Sequence, residues 1–170
     1  IMKYILVISM FIISCSKQPI EETTKRTGID TLPSFVVRSP VKVFVRNDVP
    51  EGFRWSINEA VKNWNVLGVL DFKIVYNLPE ATTIVSYGET GKAEALGTLP
   101  LDYLHPGQDI VINKNTRLNS LQLVNVVMHE LGHNIGFHHI YSKPSIMQPL
   151  IGHWEGWSKY DNSLINKFYK

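Results

Sequence analysis

The sequence predicts an α+β fold built on a mixed sheet, and three observations carry that prediction. Short runs of branched and aromatic residues recur along the chain, and two stretches of helical periodicity are set among them, an order that suits a sheet covered by helices. The 170 residues are 44% hydrophobic and 19% charged with a formal net charge of +2, the balance of one compact domain rather than a disordered chain or a strongly basic nucleic-acid binder. Only one cysteine is present, Cys15, so a disulfide-stapled scaffold is excluded; four tryptophans, seven tyrosines and seven phenylalanines supply a core instead.

The chain opens with Met2-Lys3 and an apolar run over residues 4–13, about half of the ~20 residues a membrane-spanning helix needs and the length of a signal-peptide core. The run ends in Ile12-Ile13-Ser14-Cys15, which resembles a bacterial lipobox. That resemblance implies lipidation of Cys15 and a signal peptide over residues 1–15. An acyl chain contributes roughly 0.8 kcal/mol per buried methylene, so the mature protein would sit on a membrane surface of the bacterial cell envelope. A secretory signal with an incidental cysteine, and a secreted product, is the alternative. Residues 16–34 turn to Lys, Gln, Glu, Thr and Pro, the composition of a solvated tether or of a short pro-segment lying over a site. The folded domain is expected over residues 35–170.

Residues 41–46 alternate with period two and predict a strand, closed by the turn residues Asn47, Asp48, Pro50 and Gly52. Ser56 with Glu59 three residues later reads as a capping box opening a helix whose apolar face is Ile57, Ala60, Val61 and Trp64, and Gly68 stops it. Residues 70–76 and 83–87 are strand candidates, residues 95–99 beside Pro100 a weaker edge strand, and residues 109–113 a fifth strand whose continuous apolar middle suggests burial on both faces. A second helix starts at Asn119 or Ser120 and buries Leu121, Val124, Val127 or Met128, Leu131 and Ile135.

That helix also carries His129 and His133, four residues apart, with Glu130 between them. Side chains at this spacing project from one face a turn apart, so two imidazoles can reach one ion at about 2.0–2.1 Å each. Gly136 can take the positive φ that ends the helix and reverses the chain, carrying His139 back toward the first two. Residues 129–139 match the metzincin signature HExxHxxGxxH at each fixed position, so the chain resembles a metzincin zinc peptidase. Ser145-Ile146-Met147-Gln148-Pro149 resembles the Met-turn, and its Met-x-Pro form is that of matrixins. Residues 60–72, including Trp64, are similar to the matrixin first helix and the strand after it. Asp161 with Leu164, Ile165, Phe168 and Tyr169 is similar to the C-terminal helix of that family, where the matching aspartate buttresses the Met-turn. Ile140 departs from the serine or aspartate that follows the third histidine in matrixins, and Pro149 stands where astacins and serralysins place a metal-reaching tyrosine.

The resemblance implies a zincin-like domain. It would have a twisted five-stranded mixed sheet, an N-terminal helix, an active-site helix, and a small C-terminal subdomain with Met-turn and terminal helix. It implies one catalytic Zn2+ held by His129, His133 and His139, with Gly136, Met147 and Asp161 supporting the site. Three neutral imidazoles leave one coordination position for water, whose pKa zinc lowers to roughly 7, and Glu130 is placed as general base. The expected reaction is hydrolysis of a peptide bond in a protein or peptide substrate. By resemblance that substrate would lie along Ala95, Leu96, Gly97 and Thr98, with Leu150 and Ile151 lining the pocket after the cleaved bond. Two other readings stay open: an envelope amide hydrolase acting on cell-wall peptide cross-links, and a catalytically inactive, zinc-stabilised binding lipoprotein. A monomer with no nucleic-acid partner is expected. His138 lacks the motif spacing, and His105 and His153 fall in Pro- and Gly-marked turns, so none is expected as a ligand. Trp154 and Trp157 are expected in core packing rather than on a substrate-facing rim.

Overall fold

In the computed structural model the described residues are 12–16, 30, 33, 35–149 and 156–169, with backbone alone for 12–16. Leu150, Ile151, His153 and Trp154, and most of the first 34 residues, lie outside them. The elements run β1 (Ile12–Ser16), β2 (Val41–Val45), α1 (Glu51–Val66), β3 (Phe72–Val75), β4 (Thr83–Gly88), β5 (Ala93–Thr98), β6 (Asp109–Asn113), α2 (Ser120–Asn134) and α3 (Lys159–Tyr169), with a 3-10 turn at Leu78–Glu80. The five expected strands form a mixed sheet in the order β5-β6-β4-β2-β3, and β1 adds to its β5 edge. Pairs β2–β3, β2–β4 and β4–β6 are parallel; β5 runs antiparallel to β6, and β1 antiparallel to β5. This is the predicted α+β class.

Burial follows the pleat. Val41 and Val43 are fully buried while Lys42 between them is exposed, the period-two pattern of a strand with one face on the core. In β6, Ile110 and Ile112 are fully buried but Val111 is only partly so, which makes its inward face the buried one rather than both.

Helix α1 begins six residues earlier than a cap at Ser56 predicts. Pro50, with φ −55°, stands at the N-cap with no side-chain cap, and Glu51 occupies the first turn. A fixed φ and an acidic group at the positive end of the helix dipole start it without a hydroxyl cap. Ser56 is instead an interior residue with no exposure, its hydroxyl donating to the Ser120 carbonyl at 2.9 Å and so tying α1 to the start of α2. Glu59 pairs with Lys62 on the surface. The predicted face is correct: Ile57, Ala60, Val61 and Trp64 are buried, and Gly68 at φ +61° follows the helix end.

Helix α2 is capped by Asn119, whose side chain accepts from the Gln122 amide while the Gln122 side chain accepts from the Asn119 amide, both at 3.0 Å. Leu121 is 69% exposed, against expectation, and Leu123 takes the buried place. Burial begins at residue 123 and continues to the helix end with only Asn125 partly exposed. α1 packs against α2 and β3, and α2 against β5 and β6. Trp64 joins these layers: it stacks on Phe72 with centroids 5.3 Å apart, meets Trp157 edge-on at 4.5 Å, and its indole N–H donates to the Met128 carbonyl at 3.1 Å. Trp157 is thus a packing residue, as expected. Among the described residues no helix is long and apolar enough to cross a membrane.

Candidate metal centre

His129 and His133 lie one turn apart on the buried face of α2, with 1% and 0% exposure. Gly136 takes φ +107°, and a Cβ there would stand 2.7 Å from the Phe35 carbonyl oxygen. Both the turn and the close approach therefore require glycine. The reversed chain brings His139 back, and the three ring centroids are 4.6, 4.8 and 5.2 Å apart. One nitrogen from each ring lies within 4.8 Å of the others, and the His133 and His139 Nε2 atoms are 3.2 Å apart.

Each helical ring is oriented through its other nitrogen. His129 Nδ1 is 2.7 Å from the Ile146 carbonyl oxygen, and His133 Nδ1 is 2.7 Å from that of Phe137. A carbonyl can only accept, so Nδ1 carries the proton in both rings and Nε2 presents a lone pair to the cluster. Burial, with smaller repulsion from the neighbouring rings, pushes His129 down to about 3, His139 to about 4, and His133 well below the ordinary histidine range. Neutral imidazoles are the metal-binding form. Two nitrogens each 2.0–2.1 Å from a tetrahedral zinc ion are separated by about 3.3 Å, which the His133–His139 spacing matches. These residues fit a zinc ion. His138 is half-buried and outside the cluster, and His105 is exposed and paired with Asp102 at 2.9 Å.

Glu130 is fully buried, and neither carboxylate oxygen has a well-formed hydrogen bond among the described residues. Burial pushes its pKa up to about 8, with the nearby Gly97 amide offsetting only part of that. The reason for the proximity is steric. A Cβ on Gly97 would stand 2.7 Å from Glu130 Oε2 and 3.1 Å from the Glu130 carbonyl oxygen, so β5 can lie against α2 here only with glycine. Gly97, expected along a substrate, therefore also contacts Glu130. Ala95 is fully buried and paired with Ile112, Leu96 pairs with Val111, and the Thr98 carbonyl accepts from the Asn134 side chain at 2.7 Å. On the outer edge of β5, Ile12 pairs with Thr98, Ile13 with Gly97 and Ser14 with Leu96.

Met147 is 2% exposed, and a Cβ on Gly132, which lies between His129 and His133 in the helix, would stand 2.4 Å from its sulfur. The turn that holds it is fixed by Asp161, 2% exposed, which accepts from the Ser145 hydroxyl at 2.5 Å and from the amides of Ile146 at 3.1 Å and Ser158 at 2.9 Å. Because the Ile146 carbonyl meets His129, Asp161 reaches that ring through one residue, Ile146. Ile140, the departure after the third histidine, is buried, and its amide donates to the Met147 carbonyl at 2.9 Å.

Sequence reasoning missed three contributors. The carbonyls of Phe137 and Ile146 orient the rings, and every residue type offers a carbonyl, so no signal in the sequence marks them. Asn134 binds Thr98 through its side chain and the Gly107 amide through its carbonyl at 2.7 Å, joining α2 to the end of β5. Its place inside the histidine motif was the available clue.

A family model described as Matrixin matches residues 45–170. No curated protein gives a significant match to the chain.

Proposed function

The chain belongs to the matrixin family of zinc metallopeptidases, and on that premise we propose that it is an endopeptidase with Glu130 as general base and His129, His133 and His139 as the ligands of one catalytic zinc. The observation that carries the reading is the Glu130 carboxylate, buried against Gly97 without a well-formed hydrogen bond and borne by the residue next to the first of the three clustered histidines. A purely structural site gains nothing from such a group, since burying it is unfavourable. When bound, zinc supplies an electrophile that acidifies water and polarises the scissile carbonyl. Glu130 takes the proton of the attacking water and returns it to the leaving amine. Burial supports this role, because desolvation raises the affinity of the Glu130 carboxylate for the proton it takes.

The protein or peptide substrate is held by β5, whose outer edge accepts an antiparallel strand in the register now taken by residues 12–16. Backbone pairing of this kind gives affinity with little sequence discrimination. Processing at Cys15, proposed from the lipobox resemblance together with an envelope location, would remove residues 12–14 from that edge and leave it open to substrate.

The test is hydrolysis of an unfolded protein substrate by the wild type and by Glu130→Gln. Activity confined to the wild type, with zinc content near one per chain in both, is the expected result. Equal inactivity of both proteins overturns the peptidase reading.

A further inference from the structure

Of the three histidines, His139 alone lies in irregular chain, between the end of α2 and the Met147 turn. Its position depends on what fixes the chain on either side. On one side, the Phe137 amide donates to the Gly132 carbonyl at 3.0 Å and the Phe137 carbonyl holds the His133 ring. On the other, Ile140 is tied to the Met147 carbonyl, and the next two residues are tied to a residue far away in sequence. Asp30 Oδ1 accepts from the Tyr141 amide at 2.6 Å and from the Ser142 amide at 3.0 Å, while Oδ2 accepts from the Ser142 hydroxyl. The Ser142 hydroxyl, aided by the two amides and Lys143, holds the Asp30 carboxyl below its ordinary range, opposed in part by desolvation. The same N-terminal stretch is fastened again at the Gly136 turn. The Val37 amide donates to the Ile135 carbonyl at 3.0 Å, and Phe35 fills the space that the missing Cβ of Gly136 leaves.

We propose that Asp30 is a positioning residue for the third zinc ligand, its carboxylate clamping the Tyr141–Ser142 backbone so that His139 stays turned toward His129 and His133. Residues 30–37 precede the region matched by the family, so this support belongs to this chain's own N-terminal stretch. Asp30 is then part of the catalytic body, and a maturing cleavage after it would weaken the zinc site. The proposal rests on the three-histidine zinc site.

The experiment measures zinc affinity and zinc release by chelator competition on the full chain, for wild type, Asp30→Ala and Asp30→Asn. Ser56→Ala serves as a control that removes a hydrogen bond at the far end of α2. Outer-shell partners of metal sites typically contribute 10–100-fold in affinity, and Asp30 acts at one further remove, so about tenfold weaker binding is expected for Asp30→Ala. About threefold is expected for Asp30→Asn, which keeps a neutral acceptor for the amides, and none for the control. Zinc affinity equal to wild type in the Asp30 variants overturns the proposal and leaves the zinc site intact. Should Asp30→Ala not fold, Asp30→Asn decides on the same scale. A wild type that binds no zinc overturns the site reading itself.

Discussion

Asp161 is the point where the C-terminal helix holds the metal centre in shape, and removing its carboxylate tests that connection directly. The side chain is 2% exposed and accepts three hydrogen bonds, from Ser145 Oγ, Ile146 N and Ser158 N. In Asp161→Ala all three donors lose their acceptor inside the protein. A buried donor left unsatisfied costs about 1–3 kcal/mol, so the bonds together set a range of about 3–9 kcal/mol. The cavity left by the carboxylate can admit water, which places the expected loss near the lower end, about 3–5 kcal/mol. Asp161→Asn can still accept from the two amides through its carbonyl and turn its NH2 toward Ser145, so about 1–2 kcal/mol is expected. The loss should also reach the zinc, because Ile146, whose amide donates to Asp161, presents its carbonyl to His129. Zinc affinity should fall 10–100-fold in Asp161→Ala. Urea unfolding of the metal-free protein reads the first effect, and chelator competition the second. An alanine variant within about 1 kcal/mol of wild type, with unchanged zinc affinity, refutes the reasoning.

Glu130→Gln should lower kcat/KM about 10²–10⁴-fold, the usual contribution of a general base, with zinc affinity held within a few-fold; a loss under tenfold would assign the proton transfer elsewhere. Gly97→Ala places a methyl against Glu130 and its backbone, so peptidase activity should drop at least tenfold while zinc stays bound; a fully active variant would show that β5 can move away. Gly132→Ala drives a methyl into the Met147 sulfur, and because a thioether can shift, the expected loss in urea unfolding is about 1–3 kcal/mol. The metal-free protein should be most stable near pH 6.5. Below that value the unfolded chain protonates His129, His133 and His139 while the folded chain, with these pKa values lowered by burial, does not, and stability falls on acidification. Above it the sign reverses, since folded Glu130 keeps a proton up to about pH 8 that the unfolded chain has lost near 4.5. Urea titrations across pH 5–8 check this, and Glu130→Gln should abolish only the alkaline decline.

The three-histidine cluster was legible because its geometry is local. His129 and His133 share a helix face by the 3.6-residue period, and a glycine at position 136 reverses the chain within one turn. Strand positions were legible where branched residues alternate, as in β2. Helix starts were less so: Ser56 and Glu59 have the letters of a capping box, yet the helix was already under way at Glu51, because a capping motif does not know whether a proline upstream has begun the turn. Leu121 failed for a related reason, since a periodic stripe tells which face is apolar but not how far the neighbouring layer extends.

The chain's own letters settled which atoms could grip a cation and which carboxylate stands beside them, because covalent spacing and helical pitch leave those side chains few other places to go. Only the packed molecule assigned the parts that come from far along the chain: the Ile146 carbonyl behind His129, Gly97 against Glu130, and Asp30 beside Tyr141 and Ser142. Such contacts join segments up to 112 residues apart, and their existence depends on how sheet and helices close on one another, which no short pattern encodes.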